Sequence, residues 1–286
     1  MSGVWAIVVT HDRKEVLREC LAAIGGQTRA PDRVLVVDNA SSDGTVEMLE
    51  REHPGVDVLG LPTNEGGAGG FHEGMRRAHA EGAEWLWLMD DDTVPAAGAL
   101  EALLAASELP ERRPALLASK VVWRDGRIHP MNFPFPERTR TERAVEGAEL
   151  GLMPLRFATF VSLLVHRGAV DRHGLPLKHF FVWSDDVEYT SRVLLCGELG
   201  YLVPASVALH KTETAHSPIA VPPDRFYYHV RNTIYMARAP GRGPRDRLVR
   251  CWIVASSIAE YLRRHRSRAA LAAIVRALRD GFRPLR

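Results

Sequence analysis

The 286-residue chain has little cysteine: Cys20, Cys196 and Cys251 lie far apart, and none forms a CxxC pair. That argues against a disulfide framework and a cysteine-built zinc site, and it fits a reducing compartment. Long hydrophobic runs are also missing. The apolar start, residues 4–9, is six residues long with no basic leader, and residues 251–259 make an apolar stretch of nine, too short for a bilayer span. A cytoplasmic location is expected. Excess charge of one sign is absent, since 37 Lys and Arg against 35 Asp and Glu leave +2, and no nucleic-acid partner is expected. There are no repeats or low-complexity tracts. What is present is an ordinary globular composition, 46% hydrophobic and 25% charged, enough for a sizeable core.

The near-neutral total hides an asymmetry. From Arg238 onward there are 13 arginines against Asp246, Glu260 and Asp280, about +10, which leaves about −8 on residues 1–237. Along that acidic part, short apolar runs at residues 5–10, 34–38, 56–61 and 85–89 alternate with helical-period segments at 15–24, 45–52 and about 71–81. This is the pattern of βαβ units and predicts an α/β fold, a Rossmann-like, mostly parallel sheet with flanking helices. A further helix is expected near residues 98–107 and strands at 116–123, 157–165 and 203–209, with loops through 125–151. Ser184 is expected to cap a helix over 185–195. Beyond the breaker Pro240, Gly241, Gly243 and Pro244, two amphipathic helices are expected. Their apolar stripes are Leu248, Trp252, Ala255, Ala259, Leu262 and then Leu271, Ile274, Val275, Leu278, Phe282.

In open α/β sheets ligands bind beyond the carboxyl ends of the strands, so Thr10, Asp38, Asn39, Asn64 and an aspartate triplet are expected at one crevice. The triplet closes WLWLMDDDT, residues 85–93. Asp90, Asp91 and Asp92 repel one another unless a cation lies between them. Alternation along a strand end lets Asp90 and Asp92 share one side while Asp91 faces the other, and magnesium or manganese prefers such oxygen ligands. The bland alternative is a solvated acidic turn. A second acidic site, FFVWSDDVEY at residues 180–189, runs from aromatics into Asp185, Asp186 and Glu188. One of its carboxylates could take a proton from a sugar hydroxyl while Trp183 packs on the sugar's apolar face; the alternative is ordinary capping at a helix N-terminus. His210, followed by Lys211, Thr212, Glu213 and Thr214, is a candidate imidazole ligand for a metal held by two aspartates, or else a surface or packed histidine. Glycines 66, 67, 69 and 70 permit close backbone approach to a diphosphate or sugar. Asp38 either reads ribose or base or caps the turn through Ser41 and Ser42. A nicotinamide or flavin site is unlike this sequence, because Thr10-His11-Asp12-Arg13 replaces a GxGxxG turn after the first strand.

The ordered set VVTHDR (8–13), VVDNASSDGT (36–45), NEGGAGGF (64–71), MDDDT (89–93) and FVWSDDVEYTSR (181–192) resembles the family 2 glycosyltransferases over roughly residues 4–237. Within that family it is most similar to bacterial galactofuranosyltransferases acting on lipid-linked or cell-wall glycans. The resemblance implies a GT-A catalytic domain over residues 1–237 and a basic helical extension over 238–286. It implies a UDP-sugar donor, best matched by UDP-galactofuranose, a Mn2+ or Mg2+ ion, inversion at the anomeric carbon, and a glycan or polyprenyl-linked acceptor. Carried over by position, Thr10, Arg13, Asp38, Asn64, Gly69, Asp90 and Asp91 would line the donor pocket. Asp90, Asp92 and His210 would hold the metal, Asp186 or its neighbour Asp185 would be the base, and Trp183 would meet the acceptor. A rhamnosyl- or other hexosyltransferase is the alternative within the family. Two rivals come from other classes: a haloacid-dehalogenase-like phosphatase, because Asp90-Asp91-Asp92-Thr93-Val94 also fits DxDxT/V, and a catalytically silent sugar-binding module. The arginine-rich tail over 246–286 suits peripheral contact with an anionic membrane; the alternatives are packing on the core and a partner copy in a homo-oligomer.

Overall fold

Strand β1 (Val4–Thr10) is buried along its whole length, and its side chains alternate between two cores. Trp5, Ile7 and Val9 face one hydrophobic cluster, whereas Val4, Ala6 and Val8 face the other. A strand apolar on both faces belongs at the centre of a sheet covered by helices on both sides. That is its position in the computed structural model, which describes residues 3–109, 111–137, 139–213 and 218–284.

The first half runs α1 (Lys14–Gly25), β2 (Arg33–Asp38), α2 (Thr45–Glu52), β3 (Asp57–Gly60), α3 (Gly66–Ala80), β4 (Trp85–Asp90), β5 (Thr93–Pro95) and α4 (Ala99–Ser107). The second half adds β6 (Leu116–Val122), β7 (Phe135–Pro136), α5 (Thr141–Glu149), β8 (Met153–Phe157), β9 (Leu163–His166), α6 (Arg167–His173), α7 (Asp185–Leu195), β10 (Gly200–His210), α8 (Pro223–Arg238), α9 (Pro244–Arg264) and α10 (Arg268–Gly281). The strands form one mixed ten-stranded sheet in the order β3-β2-β1-β4-β9-β6-β10-β8-β7, with β5 pairing to β10. Strands β3, β2, β1 and β4 are parallel, as expected; β9 runs antiparallel to β4 and β6. The chain leaves β1 in one direction to reach β2 and β3 and returns through α3 to β4 on the other side. The crevice beyond the carboxyl ends of β1 and β4 is therefore the topological switch point.

Four expectations need correction. The glycines at 66–70 are not a loop before a helix starting near Phe71; they form the first turns of α3, because the backbone must lie close to its neighbours there. A Cβ at Gly66, whose φ is +71°, would stand 2.0 Å from the Phe181 carbonyl oxygen, and one at Gly70 would stand 2.4 Å from Val9 Cγ1. The single strand expected over 157–165 is two, β8 and β9, interrupted where Ser162 takes φ +54° and joins a buried hydroxyl chain to Ser119 and Ser206. Residues 125–151 are not all loop: β7 and α5 lie there, the helix resting through Gly147 on Pro154 of β8. Ser184 precedes α7 as expected, but it adopts a left-handed backbone, φ +68°, and its side chain caps no amide. Helix α8 has no counterpart in the sequence reading, and Thr214 lies outside the described residues.

Helix α8 packs against both α9 and α10, burying Phe226, Val230 and Ile234 against Val254, Tyr261, Ile274 and Ala277. Of the stripe of α9 singled out by its spacing, Leu262 packs on that core while Leu248, Trp252, Ala255 and Ala259 are exposed. Leu248 is 71% exposed and Trp252 69%, while Val254 and Tyr261 turn inward. Among the described residues, no helix is long and apolar enough to cross a membrane.

Candidate active site

One open cavity of about 1330 Å³ lies beyond the switch point, walled by the ends of β1 and β4, the start of α3, the loop before α7, and helices α8 and α10. Thr10, Arg13, Asn64, Asp90, Asp91, Asp92, Trp183, Asp185, Asp186 and His210 all line it. The two acidic clusters thus share one space. Asp38 and Gly69 do not line it. Asp38 is buried at the end of β2, where one oxygen accepts from the Ser41 amide at 3.2 Å and the other has no hydrogen-bond partner; Gly69 is buried within α3 against Glu65.

Alternation at the end of β4 separates the aspartates. Asp91 accepts from Thr10 Oγ1 at 2.8 Å and from Arg13 Nη1 at 2.7 Å, and the same Arg13 nitrogen reaches Asp92 at 3.0 Å. Burial pushes the Asp91 carboxyl up to about 6 even though Arg13 opposes the shift. Asp90, Asp92 and His210 each offer one ligand atom within 4.8 Å of the others. Burial raises the Asp90 carboxyl well above its ordinary range, and the charges of Asp92, Asp91, Asp185 and Asp186 raise it further. Burial also disfavours ionisation of Asp92, yet His210 and Arg13 beside it hold that carboxyl down at about 2.

The donor set fits a divalent cation on its own chemistry. Asn132 Nδ2 donates to Thr159 Oγ1 at 2.9 Å, which fixes the amide so that its oxygen lies 2.8 Å from His210 Nδ1. The Nδ1 proton is assigned by that acceptor, so Nε2 faces Asp90 and Asp92 and would give its lone pair to a cation held between them. Asp92 Oδ1, 3.1 Å from Nε2, is buried and has no aligned hydrogen bond. Three electron-pair donors facing one point call for a positive centre between them.

The second cluster stands on a strained loop. Phe181, Trp183 and Ser184 all have φ between +63° and +68°, a region costly for side-chain-bearing residues and held only where surrounding contacts dictate it. Those contacts come from α8. Asn232, fully buried, donates through Nδ2 to the carbonyls of Phe180 (3.0 Å), Val182 (2.9 Å) and Trp183 (2.9 Å), and Arg231 Nη2 donates to Phe180 and His179. The loop delivers Asp185 and Asp186 to the first turn of α7. Burial raises both carboxyls, Asp185 to about 8 with the charge of Asp186 adding to the shift, and Asp186 to about 6. Asp185 is buried, whereas Asp186 is half-buried with one oxygen accepting from the Val187 amide at 2.7 Å. Trp183 packs partly on the core of α8–α10.

Sequence reasoning missed Asn132, inside the stretch read as loop, and all of α8 and the cavity-facing part of α10: Arg225, Tyr227, Tyr228, Arg231 and Arg276 line the cavity. The alternation of Phe226, Val230 and Ile234 at helical spacing was a signal for α8.

The profile of glycosyl transferase family 2 matches residues 5–140. Galactofuranosyltransferase GlfT1 of Mycolicibacterium smegmatis is 33% identical over 210 residues, 68% of this chain and 66% of the relative. GlfT1 of Mycobacterium tuberculosis H37Rv is 31% identical over 267 residues, 84% of this chain and 83% of the relative. The N-acetylglucosaminyl-diphospho-decaprenol L-rhamnosyltransferase of the same strain is 27% identical, covering 81% and 83%. Among solved structures, S. aureus TarS 1–349 in complex with UDP-GlcNAc superimposes over 97% of this chain and 80% of that one, with a TM-score of 0.61 at 17% identity. A mixed sheet whose parallel strands have their switch point at β1 and β4, an aspartate triplet at that point and this degree of likeness agree: the chain belongs to glycosyl transferase family 2, has the GT-A fold and is a glycosyltransferase resembling the galactofuranosyltransferases.

Proposed function

We propose that the protein is an inverting, metal-dependent hexosyltransferase. It would move galactofuranose from its UDP-linked donor to a hydroxyl of a glycan carried on a lipid diphosphate. The observation that carries this reading is the presence in one cavity of the Asp90, Asp92, His210 donor set and the Asp185, Asp186 pair. Thr10, Arg13, Asn64 and Asp91 hold the nucleotide end, with Asp38 behind them buttressing the turn through Ser41. Of the paired carboxylates, Asp186 is the better base: it is the less buried, its pKa of about 6 leaves it ionised at neutral pH, and only one of its oxygens accepts the Val187 amide. Asp186 takes the acceptor hydroxyl proton as that oxygen attacks the anomeric carbon from the face opposite the leaving diphosphate; the glycosidic bond forms, the bond to UDP breaks, and configuration inverts. When bound, Mn2+ or Mg2+ held by Asp90, Asp92 and His210 supplies positive charge for the departing diphosphate. Trp183 offers a flat apolar surface to the acceptor sugar.

Galactofuranose as donor is supported by the two GlfT1 relatives, and the lipid diphosphate by the acceptor named for the rhamnosyltransferase relative. A rhamnosyl donor is the second reading, favoured by that same relative. A phosphatase using Asp90 does not suit a chain of this family, nor does a silent module suit a cavity so crowded with carboxylates. The outward stripe of Leu248 and Trp252 among the tail's arginines supports a peripheral membrane position for the acceptor's lipid. A screen of UDP-galactofuranose, dTDP-rhamnose, UDP-galactose and UDP-N-acetylglucosamine with Mn2+, read by thermal shift and by release of the nucleoside diphosphate, tests the reading. The expected result is stabilisation and turnover with UDP-galactofuranose; a response to none of the four overturns it.

A further inference from the structure

The cavity is lined by groups of both charges. Asp90, Asp91, Asp92, Asp185 and Asp186 enter from the strand ends and the start of α7 with Arg13 and His210 beside them, while Arg225, Arg231 and Arg276 enter from helices α8 and α10. The three guanidiniums differ in what they are free to do. Arg231 is committed to the backbone of the aromatic loop and to Asn232. Arg225 and Arg276 form no salt bridge among the described residues, although both are exposed. Asp224, which also lines the cavity, pairs with neither, and Asp280 of α10 is taken by Arg279, Arg283 and the Tyr227 hydroxyl.

Arg276 is nevertheless held in place. Its guanidinium lies over the Tyr227 ring, 4.5 Å from the centroid, and Arg231 stacks between Tyr227 at 5.2 Å and Tyr228 at 4.8 Å. Tyr228 in turn stacks on Phe181 at 4.9 Å, so the loop carrying the base and the helices carrying the cations form one continuous aromatic wall. A guanidinium oriented by a ring face and lacking a carboxylate keeps its forked N–H groups for an incoming anion. The helix bearing Arg276 also turns Leu271 and Val275 outward to solvent.

We infer that Arg276, backed by Tyr227, and Arg225, which lines the same cavity, form a second anion subsite that binds the diphosphate of a lipid-linked acceptor. This rests on the functional reading above and assigns its acceptor a place. A diphosphate is common to donor and acceptor, but the donor's phosphates belong with the Asp90, Asp92, His210 set on the strand ends, whereas these arginines stand on α8 and on α10, whose Leu271 and Val275 face outward. The subsite holds the acceptor by its charged linkage, leaving the sugar to reach across Trp183 to Asp186.

Calorimetric titration of the full chain with farnesyl diphosphate in EDTA, so that no metal carries the anion, tests the assignment. Wild type should bind it, farnesol should bind far more weakly, and Arg225→Gln with Arg276→Gln together should weaken farnesyl diphosphate at least about tenfold, the effect of losing a charge-assisted hydrogen bond. UDP affinity with Mn2+ should stay within about twofold. Equal binding by the double variant, equal binding of farnesol, or a parallel loss of UDP affinity overturns the subsite. Arg225→Gln alone removes an unpaired surface side chain and keeps the test valid if Arg276 proves needed for packing; it should lose part of the same affinity, and no loss counts against the subsite. Because the readout needs no sugar donor, failure here is separate from failure of the donor screen.

Discussion

At the scale of single residues, the site holds two carboxylates in different surroundings within one cavity. Asp92 is pinned ionised by Arg13 and His210, and Asp186 is raised to about 6 by burial. Asp186→Asn should therefore lower transfer by about 10²- to 10⁴-fold, the worth of a positioned base, with UDP affinity unchanged by calorimetry. A base must be ionised to accept a proton, so the wild-type rate should fall as pH drops through about 6 and level off above it. Retention of that acidic limb in the Asn variant would assign it elsewhere. Asp92→Ala should remove the dependence of UDP binding on Mn2+ while leaving the weak metal-free binding in place; equal affinity with and without Mn2+ in wild type would count against the metal role. These carboxylates were legible in the sequence because repulsion among adjacent aspartates is itself a signal. Asn132 was not, since its role arises only when the chain folds the loop after β6 over His210.

At the scale of elements, most strands and helices of the first half were readable from alternating apolar runs and turn residues with bounds moved by one residue, while the start of α3 moved by five and β5 was not foreseen. The second half was harder. Strand β9 is inserted between β4 and β6, so the run over 157–165 divides into two strands whose pairing partners lie far away in sequence. Helix α3 begins earlier than its apolar spacing suggests because four of its first five residues are glycine, chosen for backbone approach to Phe181 and Val9 rather than for helix propensity. Helix α8 was missed although it controls the loop before α7. Asn232→Ala would take the amide donor from the Val182 and Trp183 carbonyls, Phe180 keeping Arg231, and unfolding should cost about 3 kcal/mol less, the scale of a buried polar group left unpaired. Differential scanning calorimetry checks the stability, and transfer assays on the folded variant should show kcat falling more than the affinity for UDP. Equal stability of variant and wild type would remove the clamp from the account.

At the scale of the whole molecule, charge and apolar exposure are segregated. The α/β part carries about −8 and the tail about +10, yet Asp246 of α9 pairs in the opposite sense, reaching Arg156 of β8 at 3.1 Å while also holding Arg242 and Arg250 of its own segment. The outward face of α9 presents Leu248 and Trp252 beside Arg245 and Arg247. Leu248→Ser with Trp252→Ser should reduce partition onto vesicles containing about one-third phosphatidylglycerol by severalfold, and raised salt should weaken what remains. Equal partition of both proteins in a sedimentation assay would argue against a bilayer-facing role. Point substitutions suit this test better than removal of everything after Pro240, which would strip α9 and α10 from Phe226, Val230 and Ile234.

The amide of Asn232 has a consequence for anyone building chimeras from this chain. A seam cut where the charge changes sign, near residue 238, would part α8 from the two helices that cover it and bring a foreign bundle against the loop that carries Asp185 and Asp186. An exchangeable module would have to begin upstream of Pro218, so that whatever recognises the acceptor travels with the residue that holds the loop's carbonyls in line.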